Sequence, residues 1–477
     1  MSDPVQPSDG GCPECARLRA LLEAALQRIA VLEAQVRDLQ AQLHRNASNS
    51  SIPPSANPPN APKPVAKAPT GRQPGGQPGH RGHHRQRLPQ DRVNQVVAWV
   101  PTTCCRCHGA LPAEPQPGDP EPTWHQVAEL PELAAIVTEY QAHARTCPRC
   151  GQLNRETIPP EIRAHTLGPR LVAVMSYLSG RHHRGKRAVQ EIVATAFQVP
   201  VSLGTVVASE QQMSAALATP HEQARDVVRD APVKNTDETG WKRAGQRCWL
   251  WMAATATVAY YVIHPRRGWQ GLQSLLGEVI RGIICSDRWS AYAKLLVEAR
   301  QLCWAHLKRD FQKCVDRGGA AEPIGQAGLK VVGALFAVWE DFGAGRIDRA
   351  GLQHALEPVA KELHEALERG RGCADAKAAT FCVNLLALEP ALWTFAAVEG
   401  VEPTNNHAER LLRSGVLWRK NAFGCHSESG CRFVERMLTV VQTLRLQQRP
   451  VLDYLYCALV AHRSGSPTPA LLTPQGD

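Results

Sequence analysis

The chain is 477 residues long and 43% hydrophobic, so it is too long for one ordinary core and has enough apolar residues for several domains. A formal net charge of +10 and a pI of about 8.9 favour a polyanionic partner, nucleic acid before others. The polar, acidic start and an apolar stretch at 248–263 that threonines interrupt exclude a secretory signal and a membrane span, so we expect a cytoplasmic protein with no membrane partner.

Residues 1–45 predict a coiled coil. Apolar residues recur there in a four-three alternation, at Leu18, Leu22, Ala25, Ile29, Leu32, Val36, Leu39 and Leu43. This spacing is typical of a coiled-coil seam, and the alternative is a helix that packs on its own chain. We favour self-association into a homo-oligomer, because a proline-rich segment follows and offers nothing to pack against.

Residues 46–94 predict a linker, since proline, glycine and polar residues there deny helices and sheets their hydrogen-bond ladders. Its later part is basic, which suits either a contact with DNA phosphates or a solvated tether. Both interpretations stay open.

Residues 95–155 contain two Cys-x-x-Cys pairs, Cys104 with Cys107 and Cys147 with Cys150. Cytosolic cysteines stay reduced, so close pairs indicate metal ligands before disulfides. Four thiolates in two tight pairs predict a tetrahedral structural Zn²⁺ site, with Cys105 as a spare that could replace a ligand.

Residues 156–230 predict a helical DNA-binding segment. No acidic side chain interrupts residues 162–187, which include the basic residues Arg181, Arg184, Lys186 and Arg187. Two helices follow, separated by a short proline-containing turn, and the second is capped by Ser202. The pair resembles a helix-turn-helix whose second helix reads the major groove, and an ordinary helical hairpin is the alternative.

From residue 231 the pattern predicts a buried sheet carrying two acids. Asp237 is expected at the end of a short strand, and Asp287 at the end of a strand that starts at Gly282 and opens a helix. Carboxylates at the ends of adjacent strands can converge on a pair of Mg²⁺ or Mn²⁺ ions. Two such ions are the known solution for in-line displacement at a DNA phosphodiester.

A third acid is expected from a helix beside the sheet, and the candidate is Glu409. Thr404 or Asn405 would cap this helix, and Asn406 would share a face with Glu409. Four basic residues would flank the site for the DNA backbone: Arg410, Arg413, Arg419 and Lys420.

Each acid also has an ordinary interpretation. Asp237 and Asp287 suit turns, and Glu409 suits an exposed ion pair with Arg413. Glu238 and Asp310 compete with them for the catalytic roles.

Several motifs occur in an order that resembles one family of bacterial transposases, insertion-sequence family sixty-six. They are NASNSSIPPSANPP, GGQPGHRGHHR, CCRCHGAL, CPRCG, TDETGWK, SDRWSAY, CWAHLKRDF, NNHAERLLRSGVLWRKNAFG and LTVVQTLRLQQRPVLDYL. The similarity covers nearly the whole chain. One departure is His108, where the family usually has glycine directly after the cysteine.

The resemblance implies an α/β fold, with an RNase H-like DDE domain at 231–425 interrupted by an α-helical insertion at about 303–400. A C-terminal helical tail would span 426–477. It also implies catalytic roles for Asp237, Asp287 and Glu409, and places His306 and Arg309 near the active site or substrate. Accessory proteins of the same element and a place on the bacterial nucleoid are further implications.

We therefore expect a DDE transposase that binds the terminal inverted repeats of its insertion sequence and catalyses two-metal cleavage and strand transfer of double-stranded DNA. One rival is a non-catalytic end-binding protein on an RNase H-like scaffold. Another is a general nuclease or Holliday-junction enzyme on the same fold.

Overall fold

The computed structural model describes residues 13–43 and 86–472. Most of the predicted linker at 46–94 lies outside the described residues, as do the last five residues. No helix in the described ranges combines the length and the apolar character that crossing a membrane requires.

The strands are β1 (Ala144–Thr146), β2 (Leu153–Arg155), β3 (Val233–Arg243), β4 (Gln246–Ala254), β5 (Ala259–His264), β6 (Ile283–Ser286) and β7 (Arg300–Leu302). The first eight helices are α1 (Pro13–Leu43), α2 (Pro160–Arg163), α3 (Pro169–Gly180), α4 (Lys186–Ala196), α5 (Leu203–Ala216), α6 (Ala218–Asp230), α7 (Trp269–Leu276) and α8 (Trp304–Arg317). The others are α9 (Glu322–Gly343), α10 (Arg349–Arg371), α11 (Ala376–Leu386), α12 (Thr394–Ala397), α13 (Asn406–Ala422), α14 (Glu428–Leu446) and α15 (Val451–Ser464).

The predicted N-terminal helix is present as α1, and its described side chains are exposed. Leu18, Leu22 and Leu32 remain about half or more exposed, so these seam positions face solvent. The coiled coil itself stays a prediction.

Five strands form a mixed sheet in the order β5-β4-β3-β6-β7. The first three are antiparallel, while β6 pairs parallel with both β3 and β7. Parallel neighbours need a crossover connection, which α7 supplies between β5 and β6. The sheet therefore has an antiparallel half and a parallel half that meet at β3.

Two apolar cores lie beside this sheet. The larger core unites the antiparallel strands with helices from both flanks of the sequence, as shown by Met213 of α5, Leu250 of β4 and Leu438 of α14. The second core holds the helices between β7 and α13, with Leu307 and Leu363 among its residues. Segments 156–230 and 426–472, which the sequence analysis separates from the sheet, thus pack into the same core as its strands.

Helix α14 covers the free edge of the sheet at β5. Three of its side chains, spaced four residues apart, accept hydrogen bonds from alternate backbone N–H groups of β5. The pairs are Glu435 with Ile263 at 2.6 Å, Thr439 with Tyr261 at 3.1 Å and Thr443 with Ala259 at 3.1 Å. An exposed strand edge is a template for aggregation, and these bonds remove it.

Candidate active site

Asp237 and Asp287 lie at matching positions on neighbouring strands. The expectation that a short strand ends at Asp237 is wrong, because β3 pairs with β4 as far as Arg243. However, β6 pairs with β3 only up to Asn235 opposite Cys285, so both aspartates lie two residues past that last pair. Parallel strands run about 4.8 Å apart, which brings the two residues to the same end of the sheet.

The loop after β6 holds the carboxylate of Asp287. The backbone N–H of Trp289 donates a hydrogen bond of 2.8 Å to Asp287 Oδ1. A single 3₁₀ turn, Ser290–Tyr292, follows instead of the α-helix expected from the sequence. Because a carboxylate held by a main-chain donor loses rotamer freedom, this turn preorganises Asp287.

Asn405 attaches the start of α13 to β3. Its Nδ2 donates to the carbonyl of Thr236 at 2.7 Å, and its Oδ1 accepts from Asn235 Nδ2 at 2.9 Å. The sequence predicts a cap at Thr404 or Asn405; Asn405 takes the N-cap position but makes no side-chain cap bond, since its side chain is bonded to β3. Glu409, in the first turn of α13, is thereby positioned relative to Asp237.

His306 and Arg309 of α8 both approach Glu409. His306 Nδ1 lies 3.5 Å, and Arg309 Nη2 3.9 Å, from the same oxygen, Oε1 of Glu409. Both His306 Nδ1 and Glu409 Oε1 are buried without a hydrogen-bond partner. Buried polar atoms normally have partners, so this pair has the capacity to accept a ligand.

Cys303 completes a group of possible metal ligands with His306 and Glu409, whose ligand atoms all lie within 4.8 Å of one another. Among the side chains that the structure describes, no other three from His, Cys, Asp or Glu approach so closely. The ligand atoms of Asp237, Asp287 and Glu409 do not all lie within 4.8 Å of one another.

Negative charge accumulates at the end of the sheet. Burial raises the pKa of Asp237 well above its ordinary value, and the charges of Glu238, Asp287 and Glu409 raise it further. Carboxylates that repel one another in this way are stabilised by a divalent cation. The carboxylate oxygens and the His306 nitrogen fit Mg²⁺ or Mn²⁺, whereas the Cys303 thiol is not a ligand that these ions favour.

The two competing acids already have partners. The side chain of Glu238 lies on the opposite face of β3 from that of Asp237, because successive side chains of a strand alternate. Its carboxylate lies 3.0 Å from Arg267 Nε and 3.1 Å from the Tyr292 hydroxyl oxygen. Burial, with a smaller effect from Asp287, raises the pKa of Glu238 to about 7. Asp310 pairs with Arg288 at 2.5 Å and with Lys313 at 2.9 Å.

The two cysteine pairs adopt similar turns. The N–H of Cys104 donates to the carbonyl of Gly109, and the N–H of Cys147 donates to that of Gln152. His108 has the left-handed backbone, φ 57°, that Gly151 adopts after the second pair at φ 72°. The unusual histidine is therefore a residue that takes a conformation ordinarily left to glycine.

Backbone N–H groups in both turns favour the thiolate forms of Cys104 and Cys147. The pKa of Cys104 is lowered by hydrogen bonds from the N–H groups of Cys107 and Arg106, and that of Cys147 by those of Arg149 and Cys150. These contacts suit a metal-binding thiolate. No three of these sulfurs lie within 4.8 Å of one another, so the shared Zn²⁺ site stays a prediction.

The predicted DNA-binding residues lie on two elements that touch. His183 stacks on Trp418 of α13 with ring centroids 5.0 Å apart, and its Nε2 lies 3.1 Å from Ser414 Oγ. This contact brings residues 181–187, which end in the first turn of α4, beside α13. The exposed basic residues of the combined surface are Arg184, Lys186, Arg187, Arg410, Arg413 and Lys420.

Three of the predicted basic residues have other contacts. Arg181 is part-buried at the end of α3. Lys186 forms an ion pair with Glu210. Arg419 turns inward, where Nη1 donates to Thr239 Oγ1 at 3.1 Å and to the carbonyl of Gly240. Arg419 thus fixes α13 to β3.

The predicted helix pair is present as α4 and α5, and the Ser202 hydroxyl accepts from the N–H of Thr205 at 3.1 Å. However, α5 packs against α3, α4, α14 and α15. Its exposed residues Gly204, Ala208, Gln211 and Ala215 carry no charge. The four basic residues predicted to bind DNA in this segment lie instead before and at the start of α4.

Cys303, Arg267 and Trp289 were not singled out in the sequence. Cys303 opens the CWAHLKRDF motif, but a buried cysteine is ordinarily a core residue. Arg267 comes to the site from the turn after β5, and no sequence spacing links it to Glu238.

Comparison with known proteins identifies relatives. A family model described as transposase IS66 family matches residues 165–432, more than half of the chain, and one for a family of unknown function (DUF6444) matches residues 6–86. An uncharacterized protein of Sinorhizobium fredii (strain NBRC 101917 / NGR234), y4hP, is 24% identical over 76% of this chain and 71% of its own length. A second from that organism, y4qI, is 30% identical over 39% of this chain and 37% of its own length.

Proposed function

The chain belongs to the transposase IS66 family. From this premise we propose that it is a DDE transposase acting through Asp237, Asp287 and Glu409. The observation that carries this proposal is the attachment of α13 to β3 through Asn405, next to two aspartates in matching register. It brings an acid from a helix to the end of the sheet where two acids from strands already lie.

The reaction is cleavage at the terminal inverted repeats of the element, followed by joining of the freed 3′ hydroxyl to a target phosphodiester. Water is the first nucleophile and DNA the second, and no covalent protein intermediate forms. When bound, two divalent ions, Mg²⁺ or Mn²⁺, would activate the attacking oxygen and stabilise the leaving one.

The residues of the chain have separate parts in this reaction. Asp237, Asp287 and Glu409 would hold the ions. Asn405 is a positioning residue, because it fixes the backbone from which Glu409 projects. Arg309, 3.9 Å from Glu409 Oε1, is placed to contact a phosphate once the carboxylate is engaged elsewhere. His306 supplies a nitrogen near the same oxygen.

We extend the proposal to the other parts of the chain. The strand order β5-β4-β3-β6-β7 is compatible with an RNase H-like core, and α8 to α12 would be its helical insertion. Cys104, Cys107, Cys147 and Cys150 would bind a structural Zn²⁺. Helix α1 would join copies of the chain through its exposed leucines, and accessory proteins of the element would take part.

The test is cleavage of labelled double-stranded element ends with Mg²⁺ or Mn²⁺, with and without the accessory proteins. Asp237→Asn, Asp287→Asn and Glu409→Gln should each bind the ends and fail to cut. The matched control is Asp453→Asn, which removes an exposed acid from the first turn of α15 and should cut like wild type.

Other results would favour a rival. Wild-type protein that binds the ends and never cuts would indicate a non-catalytic end-binding protein. Cutting without preference for the repeat sequence would indicate a general nuclease or a junction-resolving enzyme.

A further inference from the structure

An exposed tryptophan lies directly beside the proposed catalytic site. Trp289 is two residues beyond Asp287 and keeps 37% of its surface exposed. Its backbone N–H donates to Asp287 Oδ1 at 2.8 Å, so the indole and the carboxylate belong to one rigid turn. Whatever rests on this ring is therefore close to the phosphate that Asp287 would serve.

The ring is supported from behind by Arg267. The guanidinium carbon lies 3.7 Å from the centroid of the indole, and Trp289 Nε1 donates to the carbonyl of Arg267 at 3.3 Å. Arg267 is in turn held by Glu238, 3.0 Å from its Nε. Three contacts therefore fix the orientation of a surface ring that would otherwise rotate freely.

The support continues as an alternating stack. Arg267 also lies over the ring of Trp249, 4.7 Å from its centroid, and Arg247 lies 4.9 Å from the centroid of the same ring. Arg247, Trp249, Arg267 and Trp289 thus alternate cation and aromatic ring. The stack ends on the exposed indole.

A surface of this kind fits a nucleobase. Aromatic rings in a positively charged setting bind single-stranded nucleic acid by stacking, because every base has a π-face and every nucleotide a phosphate. In a paired duplex both faces of each base are covered by its neighbours. A base that stacks on Trp289 must therefore first leave the helix, as happens in enzymes that extrude a nucleotide.

We propose that Trp289, backed by Arg267, is a stacking platform for one unpaired nucleobase next to the phosphodiester that is cut. The inference rests on the proposed transposase function. It makes Trp289 a DNA-positioning residue: stacking holds the strand open and aligns the phosphate with Asp287. The cost of unpairing is lowest at a mismatched or abasic position.

Fluorescence of 2-aminopurine tests the platform. The analogue replaces the base at each position flanking the cut, in an element end bound with Ca²⁺ in place of Mg²⁺. Wild-type protein should change the fluorescence at one position, as that base leaves the helix and stacks on the indole, and Trp289→Phe should retain much of the change. Trp289→Ala and Trp289→Leu should abolish it.

Cleavage rates supply the second readout. With paired ends and Mg²⁺, Trp289→Ala should cut about 10- to 100-fold more slowly, the range expected from losing one base–aromatic stack. With an abasic site or mismatch at the same position, most of the loss should disappear. Tyr456→Ala is the matched control. It removes a ring of α15 that lies under Arg170 of α3, and it should change neither readout.

Two results would overturn the platform. One is a wild-type protein that cuts element ends without unstacking any flanking base. The other is a Trp289→Ala protein that thermal melting shows to be folded and that cuts paired and unpaired ends with the same loss of rate. Trp289→Leu gives the same comparison if alanine prevents folding. A wild-type protein that never cuts contradicts the proposed function, whereas the fluorescence change in Ca²⁺ still decides the platform.

Discussion

Replacing Asn405 by alanine should damage the site more than the fold. The side chain is 1% exposed and bonds to the carbonyl of Thr236 and to Asn235 Nδ2. Alanine leaves both partners without a bond, at about 1–3 kcal/mol each, so the free energy of unfolding should fall by roughly 2–6 kcal/mol. Urea unfolding measures this loss.

The effect on catalysis should be larger. Without Asn405 the first turn of α13 is no longer bonded to β3, and Glu409 shifts relative to Asp237. A displacement of about 1 Å at a reacting group can slow a reaction on the order of 100-fold. The Mg²⁺ concentration that gives half-maximal cleavage should also rise, since one proposed ligand is misplaced. Loss of stability alone would leave this concentration unchanged.

Asn384→Ala is the matched control, because Asn384 is exposed on α11. It should change stability and cleavage little. The reasoning is refuted if folded Asn405→Ala protein cuts at the wild-type rate with the wild-type Mg²⁺ dependence.

Three further substitutions test the surroundings of the site. Arg267→Met should leave Glu238 buried without its cation and raise the pKa of Glu238 above 7. The free energy of unfolding should fall by an amount near the low end of about 3–5 kcal/mol, because Arg267 is a third exposed. An unchanged melting temperature at pH 8 would contradict this. Burial lowers the pKa of His221 to about 4. The contribution of the neutral imidazole to the free energy of unfolding is therefore complete above pH 6.5 and is lost as the pH falls toward 4. Between pH 7 and pH 5 wild-type protein should therefore lose about 2 kcal/mol more of its unfolding free energy than His221→Gln, and equal losses would argue against a neutral buried histidine. Thr439→Val should leave the buried N–H of Tyr261 unpaired, cost about 1–3 kcal/mol and promote aggregation through the edge of β5, which light scattering would detect.

Local patterns predicted much of the sheet and its acids. The β-branched and aromatic runs correspond to β4 and β5, and the apolar run before Asp287 corresponds to β6. The end of β3 was wrong because it depends on β4, whose pairing continues to Arg243. A strand ends where its partners end, and a single segment does not contain that information.

The contacts that organise the site join residues distant in sequence. Asn405 reaches Thr236 across 169 positions, and Glu435 of α14 bonds to the backbone of β5 across 172. The periodicity of α14 predicts a helix, but not that Glu435 seals a strand edge. Likewise, the sequence could not exclude Glu238, because its partners Arg267 and Tyr292 come from separate loops.

The DNA-binding surface shows the same limit. The run without acids predicted a basic segment, yet its position beside α13 depends on the packing of His183 against Trp418. Arg419 fits the periodicity of an exposed helix face and is bonded to β3 instead. The sequence therefore identifies the basic residues of a helix, but it does not determine which of them face solvent.

The central claim is that Asp237, Asp287 and Glu409 act as one unit, and the most direct measurement is the cleavage rate of the single, double and triple substitutions on the same element end. Residues that act as a unit give grossly non-additive losses. We predict that each single substitution reduces cleavage to the level of the triple variant while binding is retained. Losses that multiply from one substitution to the next, or a Glu409→Gln protein that cuts like wild type, would contradict the claim.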